Sequence, residues 1–116
     1  MSENIEEWLE KRGCPHHIAH AGLKGLLESW KQTARELAEG WNVKIESKPH
    51  DLEIRQLIFE LEQKGELDEA MLKELHRIDR MFLASSTATA TNVFGDHHAQ
   101  ANKWTPETNW WFYRKS

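Results

Sequence analysis

Two histidines four positions apart have the spacing best suited to metal binding in this chain. His16 and His20 fall in the stretch "HHIAH", and side chains four apart lie on one face of an α-helix. Paired imidazoles bind zinc or another divalent transition metal when a further ligand completes the site. His97 and His98, in "GDHH", are candidates for that ligand. The alternative is a group of solvated histidines, and in that case the protein needs no cofactor.

The only cysteine, Cys14, stands beside Pro15 and His16. A helix N-terminus and an imidazole can lower the pKa of a thiol, but a catalytic thiol also needs an oriented base and an oxyanion site. The sequence pattern indicates neither a base nor an oxyanion site for Cys14. It also lacks a glycine-rich phosphate loop, a GxSxG elbow, a CxxC pair and an HExxH pattern. These absences favour a protein that is not an enzyme and leave the question of catalysis open.

The chain ends in a segment that mixes aromatic and basic residues. Its candidate partner-binding residues are Trp104, Trp110, Trp111, Tyr113 and Arg114. Such a segment can dock its rings into a core, or it can contact another protein, since aromatic residues and Arg are enriched in binding hot spots. It can also stack on the bases of a single-stranded nucleic acid. All three interpretations are open at the level of the sequence.

The charge is distributed unevenly along the 116 residues, whose net charge is −4. Residues 1–70 hold 9 basic and 15 acidic residues, whereas residues 71–116 hold 6 and 4. This balance argues against duplex nucleic acid as a partner, because phosphate binding requires a basic face. It suits another protein as the partner, and a basic protein would complement the net negative charge. With one cysteine, no signal-peptide pattern and no apolar run of about 20 residues, we expect a cytoplasmic protein that does not enter a membrane.

Four segments carry apolar residues at helical spacing. They predict helices over residues 3–12, 16–41, 51–64 and 68–84, followed by an irregular arm over 85–116. Gly22 and Gly25 interrupt the second segment near its start and suggest a later start or a close helix crossing. The length suits a single helical domain. We therefore predict an all-α fold, a small bundle of three to four helices with an extended Trp-rich C-terminal arm packed across it.

These observations favour a small acidic, non-catalytic protein-interaction domain. An inhibitor, an immunity-type factor or an accessory subunit, binding through exposed aromatic and acidic surface, would fit this description. The first alternative is a small metal-binding protein that uses His16 and His20 with a further histidine. The second is a single-stranded nucleic-acid binder that uses the basic and aromatic tail. Monomer and homodimer are both compatible with the sequence.

Overall fold

The computed structural model describes residues 4–40 and 49–115, and this part of the chain is 69% helical. Its α-helices are α1 (Ile5–Lys11), α2 (His16–Ala38), α3 (Pro49–Gln63), α4 (Glu69–Ala84) and α5 (Asp96–Asn102). A 3₁₀ helix covers Trp110–Tyr113, and the two-residue strands β1 (Thr87–Ala88) and β2 (Arg114–Lys115) pair in antiparallel fashion. The all-α bundle predicted from the sequence is confirmed. Within the described ranges, no helix is long and apolar enough to cross a bilayer.

The helix ends follow the capping residues of the sequence. The Asn4 side chain accepts a hydrogen bond of 2.8 Å from the Glu7 amide at the start of α1, and Asp68 accepts one of 2.8 Å from the Met71 amide at the start of α4. α3 begins at Pro49, a first-turn position where the missing proline N–H costs no helical hydrogen bond. The predicted end of the second helix at residue 41 and most of the predicted connection after it lie outside the described residues.

α2 contains a kink at Gly22, whose φ of 65° and ψ of −142° are not helical. A residue with a Cβ rarely adopts this conformation, so glycine is required here. The kink also explains Gly25, because a Cβ at that position would lie 2.7 Å from the Ile18 carbonyl oxygen and from the Ala21 Cβ. Gly22 therefore redirects the first turns of α2 relative to the rest of the helix, and Gly25 leaves the space that this bend requires.

α2 is the central helix and packs against α1, α3 and α4. Its Trp30 is fully buried, with its ring centroid 4.7 Å from that of Phe82 in α4. The Trp30 indole donates a hydrogen bond of 2.9 Å to Asp79, and Arg55 of α3 donates two of 3.0 Å to the same carboxylate. One buried carboxylate thus joins three helices.

The C-terminal arm packs across the bundle, as the sequence predicted. Trp111 and Phe112 of the 3₁₀ helix are 1% and 0% exposed, and this helix lies against α3. The Asn109 side chain donates a buried hydrogen bond of 2.8 Å to Gln56. Trp111, Phe112 and Tyr113 are therefore part of the core, and Trp110 packs against it half-buried.

The arm contains more regular structure than the sequence indicated. α5 lies in the stretch 93–104, where no apolar period is visible, because seven residues make only two turns. Gly95, at φ 90°, precedes this helix, and Lys103 ends it in the left-handed conformation at φ 59°.

Candidate metal-binding site

The HxxxH pair lies in the first turns of α2. The His16 and His20 rings face each other with centroids 5.9 Å apart and an angle of 27° between their planes. Their side chains are 77% and 74% exposed. The helical spacing therefore brings the imidazoles together at the surface, as the sequence indicated.

α1 places two carboxylates opposite the imidazoles. Glu6 and Glu10 are themselves four residues apart on one helix, and the short turn at residues 12–15 brings α1 back onto α2. His16 Nδ1 lies 2.7 Å from Glu10 Oε1, and His20 Nδ1 lies 3.2 Å from Glu6 Oε1. Because an ionised carboxylate only accepts hydrogen bonds, the imidazole N–H is the donor in each pair.

Three of these four residues form a group that can hold a metal ion. Glu6, His16 and His20 each offer a ligand atom, and these atoms all lie within 4.8 Å of one another. Two imidazoles and one carboxylate suit zinc, iron and their neighbours in the first transition row. Elsewhere in the described ranges, no other group of three or more His, Cys, Asp or Glu side chains meets this condition.

The two helices hold the site independently of any metal. In α1, Leu9 is fully buried, and the Trp8 ring centroid lies 5.2 Å from the Arg12 guanidinium carbon and 4.2 Å from Lys64 Nζ. Arg12 donates hydrogen bonds to Glu60 of α3, and this pairing raises the pKa of Arg12. These contacts fix α1 against the bundle and position its carboxylates.

The two histidines predicted to complete the site lie in α5. His97 and His98 do not belong to the group formed by Glu6, His16 and His20. The His98 ring instead packs against Phe94 and Trp104, with centroids 5.0 Å and 5.3 Å away. The third ligand atom comes from Glu6, which the sequence analysis did not select.

Cys14 lies in the turn between α1 and α2 and is buried, at 8% exposure. Burial raises the pKa of its thiol, because desolvation disfavours the thiolate. Cys14 is not a member of the ligand group. These features are typical of an inert structural thiol.

The candidate partner-binding residues of the arm divide into two groups. Trp111 and Tyr113 lie in the core, where their rings pack against the helices and are not exposed to a partner. Trp104, Trp110 and Arg114 are half-buried. Arg114 donates to the Leu83 carbonyl oxygen and to both oxygens of Ser86, so most of its hydrogen bonding serves to hold the chain end. Of the five candidate partner-binding residues, only Trp104, Trp110 and Arg114 are therefore partly accessible to solvent.

A search for known relatives returned no protein family, curated protein or solved structure that matches this chain.

Proposed function

We propose that this protein binds a divalent transition metal ion of the zinc class through Glu6, His16 and His20. The observation that carries the proposal is the convergence of their ligand atoms, all within 4.8 Å of one another, from two helices. Imidazole nitrogens favour zinc, copper, nickel or iron over magnesium and calcium, which prefer oxygen ligands. The carboxylate of Glu6 partly neutralises the charge of the ion.

The ligands lie on α1 and α2, so the metal links two helices. A metal that binds only the folded protein stabilises it by RT ln(1 + [M]/Kd), about 2.7 kcal/mol when the free metal is at 100 times Kd. Leu9 and Arg12 already hold α1 against the bundle, so the bound metal adds to the stability of an arrangement that exists without it.

Titration calorimetry of tag-free protein with Zn²⁺ tests the proposal. We expect one ion per chain and a higher melting temperature when it is bound. The His16→Ala/His20→Ala variant should lose both effects. The matched control is His76→Ala/His97→Ala, which removes two exposed histidines outside the ligand group and should bind as the wild type does. Equal binding by both variants, or no binding by the wild type, refutes the proposal.

We propose as a second candidate function that the protein binds a basic partner protein. It is supported by a groove of about 490 Å³ along α2, whose lining includes the carboxylates of Glu28 and Glu36. Carboxylates along a groove complement the charge of a basic surface. We also propose that the protein is located in the cytoplasm. A single cysteine is compatible with this reducing compartment.

Affinity capture from extract of the source cells, at moderate salt, tests this interaction. The wild type should retain a basic protein in stoichiometric amount, and the Glu28→Gln/Glu36→Gln variant should lose it. The control Glu69→Gln/Glu107→Gln removes the same charge from exposed positions outside the groove and should retain the partner. Capture that does not differ between the two variants counts against the groove.

A further inference from the structure

We infer that Glu10 positions His16 and is not a metal ligand, so that a bound metal keeps an open coordination position for a small anion. This inference rests on the proposed metal site. The ion then has three protein ligands, which are Glu6, His16 and His20. The external ligand is a monoanion, such as azide or a carboxylate.

Glu6 and Glu10 each lie beside an imidazole Nδ1, but only Glu6 belongs to the ligand group. Glu10 Oε1 lies 2.7 Å from His16 Nδ1, whereas Glu10 does not belong to the group whose ligand atoms lie within 4.8 Å of one another. A carboxylate that accepts the Nδ1–H fixes the tautomer of the imidazole and leaves Nε2 for the metal. Carboxylates in this second layer orient metal-bound histidines and raise their basicity.

The exposure of the site leaves room for an external ligand. Both imidazole side chains are about three-quarters exposed, at 77% and 74%, and Glu6 is 39% exposed. Zinc and cobalt prefer at least four ligands, so three protein ligands leave a position for water or an anion. A divalent ion with the single carboxylate of Glu6 carries one net positive charge, which a monoanion neutralises.

Cobalt(II) substitution makes this arrangement visible, because the visible absorption of cobalt reports its ligands. We expect wild-type protein loaded with Co²⁺ to show a saturable spectral change on titration with sodium azide. Glu10→Ala should weaken Co²⁺ affinity by about 10–100-fold, yet the loaded variant should keep the wild-type spectrum and the azide response. Glu10→Gln, which retains an oxygen that accepts the Nδ1–H, should recover most of the affinity.

Three results overturn the inference. Unchanged Co²⁺ affinity in Glu10→Ala would remove the positioning role. A changed spectrum of that variant, or an azide response that only the variant shows, would make Glu10 a fourth ligand. A wild-type protein that binds Co²⁺ but ignores azide has no open position. Absence of any Co²⁺ binding by the wild type, measured first by calorimetry, refutes the metal site itself. Glu7→Gln, at an exposed position on the same helix, is the matched control and should behave as the wild type.

Discussion

At the scale of single residues, surface and buried polar pairs differ in what their loss would cost. The His–Glu pairs of α1 and α2 lie at the surface, while Arg55 and Asp79 are buried at 5% and 8% exposure. The Arg55 guanidinium lies 4.5 Å from the Trp111 ring centroid and 5.7 Å from that of Trp110. The arm therefore shields this ion pair from solvent.

We predict that Asp79→Asn destabilises the protein by about 3–5 kcal/mol. Removing one partner of a buried ion pair leaves the other charge uncompensated, and this costs more than the pair itself contributes. Urea unfolding followed by circular dichroism measures the free energy of unfolding. Glu69→Gln is the control, because Glu69 and Lys73 form an ion pair with side chains 88% and 75% exposed, worth about 1 kcal/mol or less. A loss below 1 kcal/mol in Asp79→Asn would show that Arg55 finds other compensation.

At the scale of elements, the kink in α2 determines how the histidines meet α1. Gly22 follows His20 by two residues, and a Cβ at this position would lie 4.0 Å from Ile5 of α1. The positive φ of Gly22 therefore occurs where α2 passes Ile5 of α1 at ordinary van der Waals distance. The site depends on this local conformation as well as on the ligands themselves.

We predict that Gly22→Ala costs about 1–3 kcal/mol of stability, the usual cost of a side chain in a glycine-only conformation. It should also weaken metal binding, because relaxing the kink moves His16 and His20 relative to Glu6. Urea unfolding and Zn²⁺ calorimetry measure the two effects. Lys24→Ala, at an exposed position of the same helix, should change stability by less than about 0.5 kcal/mol. Wild-type stability in Gly22→Ala would mean that α2 straightens without cost.

At the scale of the whole molecule, the arm completes the core that the helices leave open. A buried Trp covers about 150–250 Å², which at about 25 cal/mol per Å² gives at most about 4–6 kcal/mol. Trp111 and Phe112 are both almost fully buried, and net domain stability is only about 5–15 kcal/mol. The amides of Val93 and Thr89 donate hydrogen bonds of 2.9 Å to the carbonyl oxygens of Phe112 and Tyr113, respectively. These bonds hold the 3₁₀ helix to the start of the arm. The aromatic chain end is thus a major contributor to the fold.

The helices could be read from the chain because their signals are local. Apolar spacing acts within a few positions, so it predicted α1 and α4 to within two residues. The same local rule paired His16 with His20. Gly22 was recognisable as an interruption, but whether it starts a helix or bends one depends on what packs against it.

Tertiary structure decided which distant residues meet. Glu6 approaches His20 across 14 positions, Arg55 pairs with Asp79 across 24, and Trp30 reaches the same Asp79 across 49. No periodicity within a helix specifies such pairs, because they follow from the turn at residues 12–15 and from which helix faces become buried. For this reason the sequence alone determined an all-α chain with a histidine pair on one helix face. Only helix packing selected Glu6 rather than His97 or His98 to complete the group, and placed Trp111 and Tyr113 in the core.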